Sequence, residues 1–169
     1  AYFNRVFHGH SEALLPPGEP VLMFSMTSGT TGRCKYIPVT RRFLESVRMG
    51  WNIFGLSVLE DHPQAWLRPI LQISSPMDAS RSPTGVPCGA ISGLLANTQQ
   101  RIVQRMYVVP DHVRQIDDAE QKYYSILRYG AARDVAIITT ANPSSILRLV
   151  EVGRRHAERL VRDLADGTL

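Results

Sequence analysis

Residues 20–40 read PVLMFSMTSGTTGRCKYIPVT, an apolar run, a Ser/Thr/Gly cluster, a lysine and a second apolar stretch in close succession. The run from Pro20 to Phe24 is the continuous apolar pattern of a buried strand, and the cluster from Ser25 to Gly32 is the punctuation that ends one in a loop. Thr40 is placed to cap a helix, because apolar residues recur at Phe43, Leu44, Val47, Trp51, Phe54, Val58 and Leu59 with spacings of three and four. His62 and Pro63 stop that helix. Strand, loop and helix in this order open an α/β layer arrangement.

Outward from this stretch the alternation continues. Residues 69–74 (PILQIS) predict a short strand with Pro69 at its first position. Residues 75–93, SPMDASRSPTGVPCGAISG, are dense in Ser, Pro and Gly and predict an extended, flexible loop. Met106 to Val109 predict a brief strand, after which Pro110 and Asp111 open a helix that Gly130 ends. Val135 to Thr139 predict a fully buried strand. Asn142-Pro143 then start a last helix running to about Ala165, with Ile146, Leu147, Val150, Ala157, Leu160, Val161 and Leu164 as its inner stripe. The expected fold class is α/β, layered helices around a largely parallel sheet, as a single domain over residues 1–169.

Composition narrows the function classes. A chain of 169 residues, 44% hydrophobic and 20% charged, has enough apolar content for its own core and is not a disordered segment. Nineteen basic residues oppose 15 acidic ones along the chain, and only Lys35 and Lys122 are lysines. Arg148, Arg154, Arg155, Arg159 and Arg162 of the last helix lack interleaved aromatics, so no nucleic-acid partner is expected. Cys34 and Cys88 have neither disulfide-framework nor zinc spacing, which fits a reduced, cytoplasmic protein with no metal site. The first ten residues are not a secretory signal, and the longest apolar runs are too short to cross a bilayer, so no membrane partner is expected.

The chemistry concentrates in Thr27 to Lys35, TSGTTGRCK. Gly29 and Gly32 allow successive N–H groups to turn toward one point, Thr27, Ser28, Thr30 and Thr31 add hydroxyl donors, and Lys35 adds a point charge. This is a phosphate-loop composition, with a Ser/Thr/Gly surface turn as the alternative. The glycines are too close for a Walker A loop, and no third glycine completes a dinucleotide fingerprint. Ser92 in GAISG falls one position late for a nucleophile elbow, and Asp117, Asp118 and Glu120 suit an early helical turn. Arg81, within the 75–93 loop, is a natural carboxylate partner for an acyl substrate. Trp51, Phe54, Tyr123 and Tyr124 are candidates for its apolar wall, with core packing as the alternative for each.

The longer string FSMTSGTTGRCKYIPVT, Phe24 to Thr40, resembles the phosphate-binding loop of the adenylate-forming enzymes, in particular the GH3 acyl acid-amido synthetase branch. Lys35, Ile37, Pro38 and Thr40 supply the lysine and Ile-Pro-x-Thr stretch that follow the loop in that branch. Lys122, Tyr123, Tyr124 and Leu127 extend a softer resemblance along the chain. The resemblance implies part of the large N-terminal domain of an enzyme that uses ATP and Mg2+ to adenylate a small carboxylic acid and passes the acyl group to an amine or thiol. It implies that Thr27, Ser28, Gly29, Thr30, Thr31 and Gly32 embrace the phosphates, while Lys35 contacts them or steadies the loop by pairing with an acid. The branch's Tyr-x-x-Ser-Glu and Tyr-Arg-x-Gly-Asp segments do not occur in this sequence. The expectation is therefore an N-terminal portion completed by a C-terminal part of the same polypeptide, inactive in isolation; a non-catalytic nucleotide- or acyl-binding or assembly module is the alternative.

Overall fold

A computed structural model describes residues 2–28 and 34–168. In chain order they form helix α1 (Tyr2–Phe7), strands β1 (Val21–Ser28) and β2 (Cys34–Thr40), α2 (Arg41–Asp61), β3 (Ile70–Ile73), β4 (Ser80–Arg81), β5 (Pro87–Gly89), α3 (Ile91–Asn97), α4 (Arg101–Gln104), α5 (Ala119–Ala131), β6 (Ile137–Thr140), α6 (Ser144–Arg155) and α7 (Ala157–Ala165). The class is α/β, as the sequence predicts. None of the described helices is long and apolar enough to cross a membrane. The backbone falls into two compact units, Ala1–Asp61 with Ser75–Thr98, and His62–Ser74 with Gln99–Leu169.

The first unit is built on a four-stranded sheet in the order β2-β1-β5-β4. Pairing is mixed where a largely parallel sheet is expected: β1 runs parallel to β5, but β1·β2 and β4·β5 are antiparallel. Short connections are the reason, since a parallel partner needs a crossover of a dozen residues or more. Pro38 is tolerated because β2 is an edge strand. Successive β1 side chains point to opposite faces, and both faces are covered. Met23 packs with Val39, Leu44 of α2 and Leu94 of α3, while Phe24 packs with Val6 of α1 and Cys88. Thr40 caps α2 as predicted, its Oγ1 accepting from the Phe43 N–H at 3.3 Å.

Three expectations change here. Strand β1 continues through Ser28, beyond the predicted break at Ser25, because residues 25–28 are held in the ladder with β2. Residues 75–93 are not one extended loop: 75–79 are irregular, 80–89 form the β4–β5 hairpin and Ile91 opens α3. Ser82 N–H donates to the Val86 carbonyl at 2.9 Å, Val86 N–H to Ser82 Oγ at 3.1 Å, and Gly85, at φ +82°, closes the turn. The predicted apolar stripe of α2 is also largely outside: only Leu44 is buried, and Trp51 and Phe54 are 40% and 59% exposed.

In the second unit β3 and β6 pair in parallel, Ile70 opposite Ile137 through Ile73 opposite Thr140. Leu71 and Ile73 pack with Val109, Val113, Ile126 and Leu149. Strand β6 is only partly buried, with Ile138 exposed, so the predicted full burial does not hold. The strand predicted at 106–109 is a single bridge, Tyr107 to Ile70. The helix predicted from Asp111 divides into a 3-10 turn, Asp111–Gln115, and α5, because Asp118 caps a fresh start, its Oδ1 accepting from the Gln121 N–H at 2.7 Å. Asn142 helps start α6 by accepting from the Ser144 N–H at 3.1 Å. The last helix breaks at His156, and its buried residues are Leu149 and Val152, while Leu147, Val150 and Val161 of the predicted stripe are exposed.

Candidate functional site

The loop of interest is carried between two paired strands. Ladder partners run from Met23 and Val39 to Thr27 and Lys35, then Ser28 and Cys34. Side chains two apart share a face, so Thr27 and Lys35 stand on the face whose base is the Met23–Val39–Leu44–Leu94 cluster. The other face is filled by aromatic contacts, Phe7 lying 4.3 Å from Tyr36 and 5.2 Å from Phe24 between ring centroids. The hairpin is thus anchored on both sides, with Lys35 exposed at its end. Gly29, Thr30, Thr31 and Gly32 lie outside the described residues, as does the side chain of Ser28.

Each of the other candidates has contacts within its own unit. Arg81 in β4 of the first unit donates from Nη1 to the Gly85 carbonyl at 2.8 Å, bracing its own hairpin. Tyr123 and Tyr124 belong to α5 of the second unit. Tyr123 packs against that unit's core. Tyr124 donates its hydroxyl to Asp163 Oδ2 at 2.5 Å, with the Arg159 guanidinium 4.6 Å from its ring centroid; burial first, and then the bonded Asp163 carboxylate, push its phenol up. Trp51 and Phe54 touch each other edge to face at 5.9 Å on exposed α2. Lys122 donates to the Arg114 carbonyl at 3.3 Å, and burial, aided by the Arg114 charge, holds its ammonium below the usual lysine range. Among the described residues no group of three or more His, Cys, Asp or Glu side chains could hold a metal ion.

Two positions around the site carry a signal read differently in the sequence. Gly89 and Gly93 of GAISG are buried where backbone passes directly over them: a β-carbon on Gly89 would lie 2.5 Å from the Pro76 carbonyl oxygen. The glycine pair marks close chain approach.

The profile of the GH3 family N-terminal domain matches residues 1–169. The chain belongs to the GH3 family. Among solved structures, a GH3.15 acyl acid amido synthetase superposes with a TM-score of 0.75 at 21% identity, covering 99% of this chain and 30% of that one. A structure described as AtGH3.15 acyl acid amido synthetase in complex with 2,4-DB gives the same TM-score at 22% identity, again covering 99% of this chain and 30% of that one. The GH3 chain described here therefore spans about a third of the length of these structures. No curated protein matches the sequence.

Proposed function

We propose that this GH3 chain supplies the phosphate-binding part of an ATP-dependent acyl-activating enzyme. A small carboxylic acid attacks the α-phosphorus of Mg-ATP through a carboxylate oxygen; the bond to the β-phosphate breaks and pyrophosphate leaves. An amine, such as that of an amino acid, or a thiol then attacks the acyl carbon, AMP leaves, and the acceptor's proton passes to solvent. Negative charge grows on the departing phosphates, so preorganised donors and a cation are what the first step requires. Thr27, Ser28, Gly29, Thr30, Thr31 and Gly32 supply N–H and hydroxyl donors in this reading, and Lys35 supplies the cation. Mg2+ enters as part of the substrate Mg-ATP.

The observation that carries the reading is the register of the hairpin, which sets Thr27 opposite Lys35 at the two ends of a glycine-bearing connection in a GH3 N-terminal domain. Groups for adenine, ribose and the acyl chain come, in this proposal, from a further part of the same polypeptide working in the cytoplasm. The apolar surface of α2, with Met49, Ile53, Phe54 and Leu56 each about 60% exposed or more, is in keeping with further packing. Titration of Mg-ATP into the chain, with inorganic pyrophosphate as competitor, tests the proposal. Competitive binding without AMP release supports it; absence of binding by either ligand favours a non-catalytic assembly module.

A further inference from the structure

The base of the loop is braced from the side of β1 opposite β2. Strand β5 runs parallel to β1 with Phe24 opposite Cys88 and Ser25 opposite Gly89, two residues before Thr27. Across the end of β5 and the start of α3 lies the segment Ser75–Met77, in main-chain contact with both glycines. A β-carbon on Gly89 would stand 2.5 Å from both the Pro76 carbonyl oxygen and the Met77 carbonyl carbon. One on Gly93 would stand 2.8 Å from the Met77 amide nitrogen and nearer still to the Ser75 carbonyl oxygen. Two hydrogen bonds fasten the crossing: Ala90 N–H to the Pro76 carbonyl at 2.8 Å, and Ser75 N–H to Ser92 Oγ at 3.3 Å.

The obstructing atoms are backbone, so no change of rotamer makes room for a methyl group, and a close-packed interior passes the strain on. Two routes lead from this crossing to the loop. One is the β5–β1 ladder. The other is Leu94 of α3, which packs with Met23 and Val39 beneath the Thr27–Lys35 face.

We propose that the Ser75–Met77 segment, seated on Gly89 and Gly93 and tied to Ser92, is a strap that holds the β1–β2 hairpin, and with it Thr27 and Lys35, in position for phosphate. This rests on the phosphate-loop reading above. Gly89, Gly93 and Ser92 are positioning residues that act through β1 and α3.

The test compares the wild-type chain with Gly93→Ala, with the milder Ser92→Ala, and with Ser92→Thr, which keeps the hydroxyl acceptor. Two readouts are taken: calorimetric affinity for inorganic pyrophosphate, and amide hydrogen exchange over residues 25–28 and 34–37. Gly93→Ala and Ser92→Ala are expected to weaken pyrophosphate binding about tenfold, within the cost of ångström-scale misplacement. Both are also expected to speed exchange at those amides while leaving β3 unchanged. Ser92→Thr should restore both quantities. Unchanged affinity and exchange in a folded Gly93→Ala or in Ser92→Ala overturn the proposal; if Gly93→Ala does not fold, the serine pair decides. Failure of the wild-type chain to bind pyrophosphate defeats the phosphate-loop reading instead, and the exchange data then sustain or overturn the strap independently.

Discussion

Thr27 and Lys35 are direct partners across the antiparallel β1–β2 pair, one step inside Ser28 and Cys34. Opposed residues in such a ladder share a face, with β-carbons roughly 5 Å apart. The two side chains therefore leave the same face from neighbouring positions, on a hairpin buried at Met23, Phe24 and Val39. In the proposed phosphate site, paired strands on either side of the glycine-bearing connection are the frame that stabilising charge without reorganisation requires.

The two thiols of the same sheet should differ in reactivity. Cys34 is exposed, whereas Cys88 is fully buried and burial pushes its thiol up. With iodoacetamide at about pH 8, near the ordinary thiol range, mass spectrometry should find Cys34 alkylated in the native chain and both cysteines only after denaturation. Equal rates at the two sites in the native chain contradict this arrangement.

Acid stability should depend on Glu120. Its Oε1 lies 2.7 Å from His156 Nε2 and its Oε2 2.6 Å from Arg155 Nη1, with Arg148 3.9 Å away. The His156 hydrogen bond first, and then that of Arg155, hold this carboxyl below its ordinary value of 4.5. A carboxyl lowered by folding contributes stability fully above its unfolded value and loses it as pH falls through the folded one. Glu120→Gln should therefore unfold at a lower temperature than wild type near neutrality, with the gap closing as pH falls below 4.5. A gap independent of pH in thermal melts argues against the pairing.

Arg128 ties α5 to the C-terminal end of α7. It is 6% exposed and donates to the Thr168 carbonyl at 2.9 Å and the Asp163 carbonyl at 2.6 Å. Since α7 has no buried residue, these bonds carry much of its attachment. Arg128→Met keeps the apolar stem and removes the donors; it should cost about 2 kcal/mol in denaturant unfolding and raise hydrogen exchange throughout α7. Full protection of α7 in that variant excludes the role.

The exposed side chains of α2 should contribute little to folding. Ile53 and Leu56 are each 61% exposed, while Leu44 is 7% exposed in the cluster with Met23. Replacing Ile53 and Leu56 by Ser should change unfolding free energy by no more than about 0.5 kcal/mol each and reduce binding of a hydrophobic dye. Leu44→Ala should cost about 2–4 kcal/mol. Comparable losses at all three positions mean that the outer face of α2 is covered.

What the sequence reveals about this fold follows the length of each signal. Thr40 and the His62-Pro63 pair delimit α2 because a cap and a breaker are local chemistry, and Asn142-Pro143 opens α6 for the same reason. The inward face of α6 is not local: apolar residues at 146, 147, 149, 150 and 152 nearly encircle it, and tertiary packing buries Leu149, in the cluster with Leu71, Ile73 and Ile126, and Val152. Strands of two and three residues at Ser80–Arg81 and Pro87–Gly89 are too short to show a period. Their glycines and serines therefore read as loop, when they serve turn closure and backbone approach. Of the candidate site, the pairing of Thr27 with Lys35 follows from two adjacent strands, whereas the bond from Tyr124 to Asp163, 39 residues on, depends on a helix contact that side-chain type alone does not encode.

The measurement that bears most directly on the account is a calorimetric titration of inorganic pyrophosphate and of Mg-ATP into the chain and into Lys35→Ala. Loss of one charge-assisted contact should weaken both ligands by roughly tenfold or more, with the circular dichroism spectrum and melting temperature unchanged because Lys35 is exposed. Binding of equal strength in the two proteins would contradict the assignment of Thr27 to Lys35 as a phosphate site.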